Sequence, residues 1–261
     1  MELINFAALE ANKESLKAQW NDPQKPFRYL VYDNFFLPEA AELILKQYPD
    51  ITTGSWDNTT YLNQKNKFTM TKFGSEYPLL QQTFDELNGQ KFLSVMEQIT
   101  GIDELLGDDD LFGGGLHQST KGAFLDVHVD FNYHDKTKYH RRMNAIVYMN
   151  KDWKQDYNGY LELWDLEKKE QIEYIAPLFN RCVVFETNEV SFHGHPKPLN
   201  TPPHVSRKSL AVYYYTKTRP AHEIAAEHNT IYINTEGTSG VIKNFKSGLK
   251  AALERINKKQ R

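Results

Sequence analysis

His128 and Asp130 are two side chains of metal-ligating type, placed two residues apart in a stretch of alternating apolar residues. Successive side chains of a β-strand point to opposite faces, so a strand here presents the imidazole and the carboxylate on one face. Four apolar side chains then occupy the other face and pack against a second layer, namely those of Leu125, Val127, Val129 and Phe131. The triplet therefore predicts two ligands of a metal site on a half-buried strand.

A third candidate ligand is His193, which follows the apolar run 182–185. A histidine in a turn closed by Gly194 and Pro196 can be brought beside an earlier strand when a sheet curls on itself. Two histidines and one carboxylate on one face of a metal leave positions open, as in non-haem Fe(II) oxygenases. His195 is the alternative to His193 as the third ligand.

These residues resemble the 2-oxoglutarate/Fe(II) oxygenase superfamily, and most of all its prolyl 4-hydroxylase branch. The resemblance extends over roughly residues 113–216. It is carried by His128-Val129-Asp130, the strand 144–150 followed by Lys151-Asp152-Trp153, the glycine step Asn158-Gly159-Tyr160, His193, and Arg207 at the head of a strand.

The resemblance implies a role for each matched residue. His128, Asp130 and His193 hold Fe(II), and 2-oxoglutarate and O2 take the remaining metal positions. Arg207 binds the far carboxylate of 2-oxoglutarate, since a guanidinium makes two charge-assisted hydrogen bonds to one carboxylate. Tyr148 matches the family tyrosine that contacts the same carboxylate.

Two further cosubstrate contacts are predicted from strand parity. Ser209 shares the strand face of Arg207 and can add a hydroxyl hydrogen bond, and Asn144 shares the face of Tyr148. Lys208 remains an alternative to Arg207, because prolyl hydroxylases of the collagen type use lysine in this role.

The chain from Leu111 onward is a series of short predicted strands separated by turn signals. The predicted strands are 123–131, 143–150, 159–165, 171–176, 181–187 and 207–216. Short strands at this spacing indicate a sandwich or barrel, and a double-sheet jelly roll closes such a sheet. The resemblance implies the same fold, the double-stranded β-helix. The fold class is mainly β with α.

The remaining segments are predicted to support this core. The N-terminal part has predicted helices at 6–20, 38–48, 78–87 and 91–99, a strand at 27–36, and short strands or a loop reaching the pocket at 50–76. Val241 to Gln260 is a predicted basic amphipathic helix that packs on the domain, with binding to a membrane surface or to a partner as the alternative. We expect one oxygenase domain over 1–261, with support at 1–110, the jelly-roll core at 111–218 and a C-terminal extension at 219–261.

Composition narrows the class of protein. The chain has 261 residues, 40% of them hydrophobic, and a net charge of −3, which offers no basic footprint for nucleic acid. It contains no apolar run of about 18 residues and no basic, apolar leader, so no membrane span is expected. The single cysteine, Cys182, is interpreted as a buried small apolar residue and agrees with a reducing compartment. We therefore expect a cytoplasmic protein.

Several polar residues are assigned no role in the site. His117 and His134 have no partner at ligand spacing and are interpreted as surface or supporting residues. The run Asp108-Asp109-Asp110 is interpreted as a solvated turn.

The expected activity is hydroxylation of a C–H bond in a protein residue or a small metabolite, with release of succinate and CO2. A carboxylate at Asp130 favours hydroxylation, because related halogenases have Gly or Ala there. The sequence does not choose the substrate or the oligomeric state. The alternative is a non-enzymatic binding module of cupin or lectin type, whose structural metal has four protein ligands and no open position.

Overall fold

The structure is a computed structural model that describes residues 1–233, except for the side chains of Thr59 and Tyr61. The predicted helix from Val241 to Gln260 lies outside the described residues.

Five α-helices lie in the first hundred residues. They are α1 (Phe6–Ala11), α2 (Lys13–Trp20), α3 (Pro38–Lys46), α4 (Pro78–Leu87) and α5 (Gln90–Thr100). The single helix predicted over 6–20 is wrong in one respect, because it is divided at Asn12. The Asn12 side chain donates to the Ala8 carbonyl at 2.8 Å, and asparagine commonly competes with the helical backbone in this way.

Within residues 1–233, eleven strands form one antiparallel sheet. They are β1 (Tyr29–Asp33), β2 (Asp57–Tyr61), β3 (Gln64–Met70), β4 (Gly115–Val129), β5 (His140–Tyr148), β6 (Leu161–Asp165), β7 (Glu170–Ile175), β8 (Arg181–Glu186), β9 (Phe192–His195), β10 (Arg207–Thr216) and β11 (Ile231–Tyr232). Short 3-10 helices lie at Gly74–Glu76, Gln155–Tyr157 and Ala221–Glu223.

The strand order is β1-β8-β5-β10-β4-β9-β6-β7, with β3 and β11 also paired to β4. The long strand β4 belongs to both layers of the fold. Its residues 115–119 pair with β10, and its residues 125 and 128 pair with β9. The sheet therefore curls on itself, and the predicted jelly roll is confirmed.

The helices cover the outer face of β5, β8 and β10. Strand residues of alternating parity, such as Val147, Val184 and Leu210, join Ile44 of α3 and Phe92 of α5 in the large apolar core. Cys182 is buried in the same core, as predicted. The other parity of β5 and β10 faces inward, which leaves its polar side chains to line a cavity between the two layers.

Candidate active site

His128, Asp130 and His193 lie together at the inner surface of the jelly roll. The Nε2 atom of His128 lies 3.6 Å from Oδ1 of Asp130, and Nε2 of His193 lies 3.5 Å from Oδ2. One ligand atom from each residue lies within 4.8 Å of the other two, and the three side chains are largely buried. This spacing suits a single metal ion held on one face.

Hydrogen bonds to the backbone orient both imidazoles. Nδ1 of His128 lies 2.8 Å from the Asp126 carbonyl, and Nδ1 of His193 lies 2.9 Å from the Ser191 carbonyl. A carbonyl only accepts, so Nδ1 carries the proton in each ring and Nε2 offers its lone pair to the shared point. Burial, followed by the charge of His128, lowers the pKa of His193 to about 4, which keeps this ring neutral. The donor set therefore fits Fe(II) before any metal binds.

Strand pairing brings His193 to His128. His193 lies within β9 and not in a turn, which corrects the predicted location, and it pairs directly with His128 of β4. Gly194 allows this approach, because a Cβ there would lie 2.9 Å from the Leu125 carbonyl oxygen and from Cα of Val127. Any side chain at this position would push the two strands apart.

His195 lines the same cavity but lies outside the three-residue cluster. It pairs with Leu125, further back along β4, and its Nδ1 has no hydrogen-bond partner among the described residues. The structure thus favours His193 over His195 as the third ligand.

Asp130 is held by two side chains of β5. Arg141 places Nη2 3.0 Å from Oδ2 of Asp130, and the Asn144 amide donates to the same oxygen at 2.7 Å. Burial raises the pKa of Asp130, but the Arg141 guanidinium and the two imidazoles outweigh burial and hold this pKa well below its usual range. The contact of Asn144 with the cosubstrate stays a prediction, and in this structure its amide donates to the candidate metal ligand Asp130.

Leu125 departs from simple alternation. It lines the cavity together with His128 and Asp130, although parity places it on the opposite face. Phe131, predicted on that opposite face as well, also lines the cavity. The pairing of β4 with β9 is irregular between Leu125 and His128. Such an irregularity inserts a residue and reverses the faces on one side of it.

Arg207 and Tyr148 form a polar group in the same cavity. Nη2 of Arg207 donates to the Tyr148 hydroxyl at 3.1 Å, and Nε donates to the Gly159 carbonyl at 2.7 Å. Ser209 also lines the cavity, while Lys208 extends outside it and donates to the Ser206 hydroxyl at 2.8 Å. The structure therefore brings the predicted residues together and places Lys208 elsewhere.

Gly159 closes the back of this group. It has a positive φ of +71°, and a Cβ there would lie 2.3 Å from Cδ2 of Leu199 and 3.2 Å from Cδ of Arg207. Only glycine combines this backbone conformation with so close an approach to Arg207.

The cavity has a volume of about 200 Å³. Sequence reasoning missed several of its lining residues, among them Gln64 and Lys67 of β3, Tyr213 of β10 and Tyr232 of β11. His117, predicted to lie at the surface or in support, lines the cavity with Nε2 3.2 Å from the carbonyl oxygens of Gly113 and Gly114. The periodicity of 50–76 offered no signal for β3, although strands reaching the pocket were one expectation for that segment.

The acidic run near Asp108 is only in part the predicted solvated turn, because Asp109 and Asp110 are exposed in a turn while Asp108 is not. Asp108 is buried, and its carboxylate accepts hydrogen bonds from the amides of Asp110 and Phe112. Nδ1 of His134 accepts from the amides of Lys136 and Thr137, so Nε2 carries the proton and points toward Asp108 at 3.5 Å. A protonated Nε2 cannot ligate a metal, and this group braces the loop instead.

Comparisons with known proteins agree with this geometry. Residues 114–215 match the family model of the 2OG-Fe(II) oxygenase superfamily. Prolyl 3-hydroxylase OGFOD1 of Mus musculus is 33% identical over 93 residues, covering 33% of this chain and 17% of the mouse protein. The chain thus spans only a small part of that relative.

Solved structures of the same fold include two prolyl hydroxylases. One, from Trichoplax adhaerens, was determined with a peptide of the hypoxia inducible factor oxygen degradation domain; it has a TM-score of 0.59 and 15% identity, covering 81% of this chain and 93% of its own. The prolyl 4-hydroxylase of Pseudomonas putida has a TM-score of 0.56 and 18% identity, covering 77% and 98%.

Residues 114–215 therefore resemble the 2OG-Fe(II) oxygenase superfamily, and the predicted resemblance to its prolyl 4-hydroxylase branch is confirmed. The family match and the three-residue cluster together support Fe(II) and 2-oxoglutarate as cofactors. None of the helices within residues 1–233 has the length and apolar character needed to cross a membrane.

Proposed function

We propose that this protein is an Fe(II)- and 2-oxoglutarate-dependent dioxygenase that hydroxylates a C–H bond and releases succinate and CO2. One observation carries the proposal: a three-ligand cluster and a buried Arg207–Tyr148 pair face the same cavity. In this proposal His128, Asp130 and His193 hold the metal. Arg207, Tyr148 and Ser209 hold the far carboxylate of 2-oxoglutarate.

Bound Fe(II) and 2-oxoglutarate supply the oxidising chemistry, with O2 as the oxidant. The residues of the chain position the reactants and exclude water. Arg207 is fixed by Gly159 and Tyr148 before the cosubstrate arrives, so little order is lost on binding. Ile146 and Leu161 add apolar surface to the lining of the cavity, which favours a water-poor reacting centre.

The substrate of the proposed reaction is a residue of a protein or a small metabolite. The name of the mouse relative describes a prolyl hydroxylase, which supports a prolyl residue. HygX of Streptomyces hygroscopicus, with a TM-score of 0.50 and 14% identity, was determined with hygromycin B and supports a small molecule. No nucleic-acid substrate is proposed, in keeping with the net charge of −3.

The alternative of a structural-metal binding module is not favoured. Such a module needs four protein ligands, and the cluster among the described residues contains three. A structural-metal module also does not explain why Arg207 is buried against Tyr148 inside the cavity.

An anaerobic titration tests the proposal. Purified protein with Fe(II) should develop a weak visible metal-to-ligand charge-transfer band only when 2-oxoglutarate is added, and Asp130→Ala should abolish the band. Absence of the band in the wild-type protein, with zinc retained through purification, would overturn the proposal.

A further inference from the structure

Lys67 brings a third cation into the cavity. It lies on β3 and pairs with Ser119 of β4, so the hairpin formed by β2 and β3 delivers its side chain to the cavity wall. Among the side chains that the structure describes, which exclude those of Thr59 and Tyr61, its ammonium forms no ion pair with a carboxylate and no hydrogen bond. The other two cations of the cavity, Arg141 and Arg207, are each engaged by neighbouring side chains.

The charges of the cavity are unbalanced. Its described lining contains three cations, Lys67, Arg141 and Arg207, and one carboxylate, Asp130. Asp130 is taken by Arg141 and by the proposed metal. Bound 2-oxoglutarate brings two carboxylates, of which one meets Arg207 and the other meets the metal. The positive charges, five in all with Fe(II), then exceed the three negative charges of Asp130 and 2-oxoglutarate by two, and Lys67 is the cavity cation that has no negative group in contact among the described side chains.

The surroundings of Lys67 penalise its charge. Burial lowers its pKa to about 8, Asp130 opposes this change, and Arg207 and Arg141 add to it. The group is thus still mostly protonated at neutral pH, although its ammonium is poorly solvated. An anion beside it would relieve this cost, because a desolvated charge gains more from a close partner than an exposed one.

We propose that Lys67 is a specificity residue that binds an anionic group, a carboxylate or a phosphate, of the substrate to be hydroxylated. The assignment rests on the proposed function, because it requires that 2-oxoglutarate occupy Arg207. It narrows the substrate class to molecules or residues that carry an acid close to the oxidised carbon, since the cavity of about 200 Å³ admits only a short connection.

Direct observation of Lys67 tests the proposal. Full-length protein labelled with 13C-lysine is saturated with Zn(II) and 2-oxoglutarate, and its Hε–Cε signals are followed during titration with acetate or with inorganic phosphate. Lys67 is assigned by the signal missing from Lys67→Met. Lys65, an exposed lysine of the same strand, is the matched control and is assigned with Lys65→Met.

We expect the Lys67 signal to shift saturably with at least one probe, while the Lys65 signal stays in place at matched ionic strength. A response to acetate alone indicates a carboxylate, and a response to phosphate alone indicates a phosphate. No saturable shift with either probe, or an equal shift of Lys65, would overturn the assignment.

Cosubstrate affinity separates this proposal from the function on which it rests. The charge-transfer band measures 2-oxoglutarate binding to the Fe(II) protein, and Lys67→Met should change the Kd less than threefold. An increase as large as that caused by Arg207→Met would make Lys67 a cosubstrate ligand and contradict the assignment. Absence of the band in the wild-type protein contradicts the proposed function itself, whereas a normal band without an anion response contradicts only the role of Lys67.

Discussion

The guanidinium of Arg141 and the carboxylate of Asp130 form a buried ion pair, with Nη2 3.0 Å from Oδ2. Asn144 links both partners, since its carbonyl oxygen accepts from Nε of Arg141 and its amide donates to Asp130. The guanidinium also lies between the rings of Phe131 and Tyr213, 4.3 and 3.6 Å from their centroids. The carboxylate is thereby fixed in place without a metal.

Arg141→Met should destabilise the metal-free protein by about 3–5 kcal/mol, because it leaves the buried charge of Asp130 without its partner. A bound cation replaces that partner in part. Thermal unfolding with and without Zn(II) should therefore show a larger metal-induced rise in Tm for this variant than for the wild type. Arg142→Met, which removes the ion pair with Glu223, is the control and should show the wild-type rise. An equal metal-induced rise in Tm in all three proteins would show that Arg141 does not compensate the buried charge of Asp130.

His193→Ala should weaken metal binding by more than about 100-fold, since loss of a residue that only orients a ligand already costs 10–100-fold. His195→Ala is the matched control, because His195 lines the same cavity two residues away. The metal affinity of His195→Ala should stay within about tenfold of the wild type, the lower end of the loss expected for a residue that is not itself a ligand. The measurement is anaerobic calorimetric titration with Fe(II). A greater loss in His195→Ala would exchange the roles of the two histidines.

Arg207→Met should raise the Kd of 2-oxoglutarate about 100-fold, because hydrogen bonds to a charged group contribute about 1.5–3 kcal/mol each. Lys208→Met should leave the Kd unchanged, since its ammonium lies outside the cavity on the Ser206 hydroxyl. Titration of the charge-transfer band at fixed Fe(II) provides both values. The reverse pattern would assign the cosubstrate carboxylate to Lys208.

Lys67 should make stability depend on pH. Its folded-state pKa of about 8 lies below its unfolded value of about 10.4, so the unfolded chain binds more protons between these values. Wild-type stability therefore gains from Lys67 as pH rises from about 8 to about 10.4. Lys67→Met should be more stable than the wild type at pH 7, by on the order of 2 kcal/mol, and this difference should vanish above about pH 10.4. Urea unfolding at several pH values checks this, with Lys65→Met as the control. A difference independent of pH would show that the ammonium is well solvated.

Local sequence patterns predicted many residues of the candidate site. His128 and Asp130 face one cavity, and Arg207 faces inward while Lys208 faces outward, because side chains alternate strictly along a regular strand. The strand and turn signals after Leu111 likewise predicted the jelly roll. The predicted strand over 123–131 began too late, because β4 begins at Gly115. The polar residues of the missed stretch do not alternate with apolar ones, so the two-residue period of a strand is not visible there.

What the sequence by itself determined is the set of donors and the face on which each lies within its own strand. Only the tertiary structure decided which faces meet. The pairing of β4 with β9 placed His193, and not His195, beside His128 and Asp130, and it turned Leu125 into the cavity. The pairing of β3 with β4 placed Lys67 at the cavity wall. The physical reason is that register between strands distant in sequence depends on how whole faces pack, and a single irregularity shifts every side chain beyond it.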